Sequence, residues 1–145
     1  MTVEDRPELV FADLGQGRTF RPFEMRVTGD LAAAYMDTVG DRNPLYFDAG
    51  AAGPGGPIAP PGLAAIYARS SYLQDHAMPS GGVLAKQEFE FLAPVRVGDT
   101  LRVQARVFES YLDDKGRRRV HFLIEAENQD GRPVTTIRLY AIWPK

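Results

Sequence analysis

The chain contains no cysteine, which excludes disulfides, thiolate catalysis and cysteine-ligated metals. Histidine is almost as scarce, with only His76 and His121, so imidazole chemistry has few places to sit. No apolar run approaches the roughly 18 residues that a membrane-spanning helix requires. The first residues, Met1-Thr2-Val3-Glu4-Asp5, lack the positive and apolar regions of a secretory signal, and a cytoplasmic setting without membrane attachment is the expectation. A formal net charge of −2, with basic residues spread over several segments, leaves no footprint for nucleic acid. The one basic cluster, Lys115-Gly116-Arg117-Arg118-Arg119, reads as a solvated hairpin turn. No metal site is expected.

What is present fits one globular domain over 1–145, since 145 residues with 44% hydrophobic content can bury one core but not two. From Arg18 to Val27 the apolar residues alternate imperfectly, and Pro22 makes this first strand an edge strand or a bulged one. Thr28 or Asp30 can cap a helix through Leu31-Ala32-Ala33-Ala34-Tyr35-Met36, which Gly40 stops. Between Gly40 and Pro57, Gly50, Gly53, Gly55 and Gly56 alternate with Pro44, Pro54 and Pro57, a composition that only a loop tolerates. Pro60-Pro61 then pre-sets the backbone for a second helix, expected from about Gly62 to about His76. That helix is small or apolar on most sides, as expected of one wrapped by another element.

The remaining chain alternates at period two. Val83, Ala85, Gln87, Phe89 and Phe91 share one face of a strand, and Leu101, Val103, Ala105 and Val107 repeat the pattern after Val97-Gly98-Asp99. Val120, Phe122, Ile124 and Ala126 do so again, and a last run from Val134 to Trp143 follows Asp130-Gly131-Arg132-Pro133. Three long strands joined by tight turns predict an antiparallel meander with one buried face. The fold class is therefore α+β, a curved antiparallel sheet wrapped around a central helix. Met25, Met36 and Met78 read as core fillers. His121 lies on the face opposite Val120 and Phe122, as a surface or interface residue, and His76 reads as a cation at a helix end.

The stretch Val39-Gly40-Asp41-Arg42-Asn43-Pro44-Leu45-Tyr46-Phe47-Asp48, followed by Ile58-Ala59-Pro60-Pro61-Gly62-Leu63, closely resembles the signature G-D-x-N-P-[LI]-H-x-D of the MaoC-like, or hydratase 2, branch of the hot-dog superfamily. Phe11-Ala12-Asp13-Leu14, Phe91 to Thr100 and Asn128-Gln129-Asp130-Gly131 resemble further recurrent segments, so the likeness covers nearly the whole chain. It implies a hot-dog fold and hydration or dehydration of (R)-3-hydroxyacyl and trans-2-enoyl thioesters. No cofactor is implied beyond the coenzyme A or phosphopantetheine that forms part of the substrate. The implied partners are an acyl-CoA or acyl carrier protein substrate, and a second hot-dog subunit in a homodimer or heterodimer.

Such chemistry needs a base for the proton beside the carbonyl, an acid for the departing hydroxide, and donors for the enolate-like oxygen. The resemblance places the family's catalytic aspartate at Asp41, whose simpler role is to cap the loop. It places the catalytic histidine at Tyr46. A phenol with an ordinary pKa of about 10 donates a proton but is a poor base near neutrality, whereas imidazole does both; Tyr46 is otherwise a loop aromatic packed over the helix with its hydroxyl bonded. Asn43 fixes the turn or contacts substrate. At the helix start many relatives carry a glycine where direct correspondence puts Pro61, which has no amide hydrogen. Gly62 supplies the donor only if the turn is shifted by one. The combination Asn-Pro-Leu-Tyr with Ala-Pro-Pro resembles the non-catalytic N-terminal halves of two-part dehydratases. Three readings follow: a hydratase or dehydratase subunit served by a histidine-bearing partner; an isomerase or cyclase using Asp41 and Tyr46; and an acyl-binding module without catalysis.

Overall fold

A computed structural model describes residues 5–48 and 50–145; the signal-sequence reading of Met1 to Glu4 falls outside them. The meander forms as the alternation demands. Strands β3 (Thr100–Leu112), β4 (Arg118–Glu127) and β5 (Pro133–Trp143) pair antiparallel, with β1 (Phe23–Arg26) on one edge and β2 (Val83–Phe91) on the other, in the order β1-β3-β4-β5-β2. Ala105 faces Ile124, which faces Ile137, and Val107 faces Phe122, which faces Leu139. All six lie on one buried face, where a fully buried valine, leucine or isoleucine gains roughly 1.5–3 kcal/mol over exposure.

Helix α1 (Gly29–Val39) starts where Thr28 Oγ1 accepts from the Leu31 amide at 3.1 Å and stops at Gly40, φ +73°. Of the two caps proposed, Thr28 serves. Helix α2 (Ala64–Tyr72), preceded by the 3₁₀ turn Pro61–Leu63, lies on the buried face of the sheet. Its Ala64, Tyr67, Ala68, Ser71 and Tyr72 are buried, while Ala65, Ile66 and Arg69 are exposed. The Tyr72 ring stacks on Phe122 with centroids 4.4 Å apart, and Tyr67 Oη donates to Thr135 Oγ1 at 2.7 Å. At the chain's two ends, Trp143 Nε1 donates to the Leu9 carbonyl at 2.7 Å.

Four expectations need correction. The first strand is regular only over Phe23–Arg26, because Pro22 breaks the ladder; Phe20 still donates its amide to the Ala105 carbonyl. Strand β2 has a bulge between Leu84 and Lys86, which puts Leu84 opposite Ala141 and leaves Val83 opposite Ile142, on the other face from Gln87, Phe89 and Phe91. Helix α2 ends at Tyr72 rather than near His76. Beyond it Arg6 takes the Leu73 carbonyl at 3.1 Å, Gln74 bonds the Arg21 carbonyl at 2.7 Å and Asp75 pairs with Arg21, contacts incompatible with another helical turn. Finally, α2 is not enclosed on all sides, since its Ile66 face is open.

At the β3–β4 turn the basic cluster is a hairpin, as read. Asp113 accepts from the Lys115 and Arg117 amides and from the Arg117 and Arg119 guanidiniums. Desolvation pushes its carboxyl up, but these bonds outweigh it and hold the group well below the usual carboxylate range. Met36 is buried and Met25 and Met78 lie against the core. Among the described residues no helix is long and apolar enough to cross a membrane.

Candidate active site

Asp41 stands immediately after the glycine stop of α1. Its amide donates to the Met36 carbonyl at 3.1 Å, and its Oδ1 accepts from the Asn43 amide at 3.0 Å. Asn43 Oδ1 in turn accepts from the Leu45 amide at 3.1 Å and caps the 3₁₀ turn Pro44–Tyr46. Both side chains therefore shape the loop, which is the ordinary work of Asx residues. One carboxylate oxygen does this for Asp41; the other has no partner among the described residues.

Tyr46, at the end of that turn, is half-buried. Desolvation pushes its phenol above the ordinary value, and Asp41 and Tyr35 beside it push the same way. The structure thus brings Asp41, Tyr46 and a residue that sequence reasoning had left as part of α1, Tyr35, into one cluster. Neither phenol is hydrogen-bonded to a described residue.

The glycine-rich loop is fastened by a residue whose role was not foreseen. Arg96 Nη1 donates to the Ala52 carbonyl at 3.1 Å and to the Gly56 carbonyl at 2.7 Å, and its amide donates to Asp99 Oδ2 at 2.8 Å. Backbone bonds finish the seam: Ile58 to Leu45, Ala59 to Val95 and Val97 to Pro57. Charge-assisted bonds of this kind hold a backbone that has no ladder of its own. An arginine between two valines, Val95 and Val97, in an otherwise apolar stretch was the only available signal.

At the start of α2, Pro61 occupies the first helical position and has no amide hydrogen. The Leu63 amide is taken by the Pro60 carbonyl at 3.1 Å, but the Gly62 amide has no acceptor among the described residues. An available donor therefore stands one residue after the proline. Beside it lies an apolar cavity of about 320 Å³, lined among others by Val27, Pro60, Pro61, Leu63, Tyr67 and Phe91.

Of the residues expected at the site only Pro61 lines that cavity; Asp41, Asn43, Tyr46 and Gly62 do not, and neither does Tyr35 or either histidine. His76 sits four residues beyond α2, at its far end, so the helix-dipole account does not apply. His121 is on the outer sheet face, as expected, yet it is buried there. Its Nδ1 lies 2.9 Å from Glu109 Oε2, and Tyr111 and Tyr140 meet the ring edge-on. Among the described residues no group of three or more His, Cys, Asp or Glu could hold a metal ion.

Comparison with known proteins gives these features a frame. Residues 15–137 match the family model described as FAS1-like, dehydratase domain region. Among solved structures, the chain is similar to a monoamine oxidase regulatory protein from Archaeoglobus fulgidus, with 25% identity, a TM-score of 0.80 and 97% of each chain covered. It is similar to R-hydratase PhaJ1 from Pseudomonas aeruginosa, with 23% identity, a TM-score of 0.79, and 95% of this chain and 87% of that one covered. It is also similar to HadBC, a (3R)-hydroxyacyl-ACP dehydratase complex from Mycobacterium tuberculosis, with 23% identity, a TM-score of 0.77, and 88% and 96% covered. No curated protein sequence matches significantly.

Proposed function

The chain belongs to the FAS1-like dehydratase-domain family, within the MaoC-like hot-dog proteins, and from that premise we propose that it is an acyl-thioester-binding subunit of a hydratase or dehydratase. The observation that carries this reading is the apolar cavity of about 320 Å³ bounded by Pro60, Pro61 and Leu63, which flank the unpaired amide of Gly62. An acyl tail fits such a lining because burying methylenes is favourable there. A thioester oxygen needs one or more donors where its negative charge develops.

Hydration adds the water hydroxyl to C3 of a trans-2-enoyl thioester and a proton to C2, and dehydration reverses both. Asp41, with one free oxygen, is the group that would take a proton from water or from C2. Tyr46 can act as a proton donor, and its raised pKa makes it a still poorer base at neutral pH. The imidazole that would serve both steps is absent from the site. Efficient turnover then requires a second hot-dog subunit that carries the histidine.

The surface for such a partner is the β2 edge. Leu84, Phe89 and Phe91 on its inner face are exposed, the two phenylalanine rings stack at 5.9 Å, and Ile66 of α2 is open too. An apolar edge strand of this kind is normally covered by association, here with a second copy or a heterologous hot-dog subunit.

The test uses the purified chain, octanoyl-CoA for binding and crotonyl-CoA for hydration, with and without a histidine-bearing hot-dog protein encoded beside it. Binding by the chain alone, with hydration appearing in the mixture, is expected. Failure to bind any acyl thioester in either state refutes the reading. Efficient hydration by the chain alone would favour the rival in which Asp41 and Tyr46 suffice.

A further inference from the structure

Tyr35 projects from α1 across to the start of α2. A Cβ added at Gly62 would collide with the Tyr35 hydroxyl and would stand 2.7 Å from its Cζ. The phenol therefore rests on the α-carbon of Gly62, and only glycine at 62 lets it approach so closely. Its hydroxyl has no hydrogen-bond partner among the described residues, and neither has the Gly62 amide beside it. Two unspent donors, from segments 27 positions apart in the sequence, thus stand side by side at Gly62, whose chain neighbours Pro61 and Leu63 line the apolar cavity.

We propose that Tyr35 is a second donor to the acyl carbonyl, its hydroxyl and the Gly62 amide together holding the thioester oxygen. The proposal rests on the acyl-thioester reading above and adds to it a residue that the signature does not contain. A phenol suits the task because its hydroxyl donates a hydrogen bond without bringing a charge of its own. Two donors fix the carbonyl's direction as well as its position, where a single amide would leave it free to swing.

A tyrosine that merely packs on glycine makes different predictions, and Tyr35→Phe separates the two because it keeps the ring and removes the oxygen. The probes are octanoyl-CoA and its S-octyl thioether, which has the tail and the carrier but no carbonyl. Wild type should bind the thioester more tightly. Tyr35→Phe should weaken thioester binding by about 3- to 10-fold, the range of one neutral hydrogen bond, and leave thioether binding and the thermal midpoint unchanged. With a carbonyl-labelled thioester, the infrared C=O stretch should lie at lower frequency on wild type than on Tyr35→Phe.

Equal effects on both ligands, or no effect on either affinity or stretch, would overturn the proposal while leaving the acyl-thioester reading intact. If wild type binds neither ligand, that reading fails and the proposal with it. Gly62→Ala checks the geometry independently: by displacing the phenol it should lower thioester affinity at least as much as Tyr35→Phe does. A folded Gly62→Ala protein with undiminished preference for the thioester would also overturn the proposal.

Discussion

Replacing Tyr46 by histidine tests whether the site lacks only its base. Position 46 is half-buried beside Asp41, and imidazole is smaller than phenol, so the substitution should fit without displacing the loop. The same surroundings act on an imidazole in opposite directions. Desolvation lowers its pKa and the Asp41 carboxylate raises it; an imidazole, unlike a phenol, can both accept and donate a proton near pH 7. A positioned acid–base group of this kind contributes typically 10²–10⁴-fold. On the proposed reading the unpaired Gly62 amide is the donor for the carbonyl. Tyr46→His alone should therefore raise kcat for crotonyl-CoA hydration by about 10²-fold or more, followed as loss of the enoyl absorbance, with the rise centred near the imidazole pKa. Pro61→Gly should add little to it. A folded Tyr46→His protein that binds octanoyl-CoA but hydrates no faster than wild type would refute the reasoning, since binding would be intact and the acid–base pair still inert. A large further gain from Pro61→Gly would show that the donor belongs at residue 61 after all.

Asp41→Asn should keep the bond to the Asn43 amide, because an amide oxygen accepts as a carboxylate does, while activity in the partnered enzyme falls by roughly 10²-fold; unfolding on thermal melting would instead mark Asp41 as a structural cap. Affinity for saturated acyl-CoAs should rise about 4-fold for each added methylene, the value of roughly 0.8 kcal/mol per CH₂, until the cavity is full, and Val27→Phe should bring that plateau at a shorter chain in calorimetric titration. Phe91→Lys should convert the associated species to monomer in light scattering, because it places a charge on the exposed apolar edge of β2; unchanged mass would locate the interface elsewhere. Asp113 has a folded pKa below its unfolded value, so its contribution to stability is present above about pH 4 and is lost as pH falls toward the folded value. Asp113→Asn should accordingly lower the melting temperature at pH 7 and make progressively less difference below pH 4.

What could be read from the chain was what depends on near neighbours. The meander followed from Leu101, Val103, Ala105 and Val107 and their counterparts, since a period of two names the buried face without reference to the rest of the fold. The Thr28 cap and the Gly40 stop are likewise local, as is the proline start at residue 61. The misses all have distant partners. Pro22 announced an irregular strand but not which four residues stay paired. The end of α2 depends on Arg6, whose bond to Leu73 spans 67 positions, and on Arg21. Arg96 reaches back 40 positions to Gly56. The bulge near Ala85 shows only in the register with β5, because alternation alone cannot tell a continuous strand from one that slips by a residue.

The two departures from the signature differ in kind. At residue 61 proline presets the backbone for a helical start, and the cost is one amide hydrogen at a position where the next residue can offer its own. Residue 62 is constrained to glycine by the Tyr35 ring, which leaves no room for a Cβ. Glycine leaves room for the ring, and on the proposed reading its amide takes the place, one residue on, of the donor that proline lacks. At residue 46 no neighbour compensates in the same way. Desolvation, and after it Asp41 and Tyr35, hold this phenol in its neutral form, and neither histidine of the chain lines the cavity. The elements that would bind an acyl thioester can therefore persist while the base is missing, which is the division of labour that a histidine-bearing second subunit would complete.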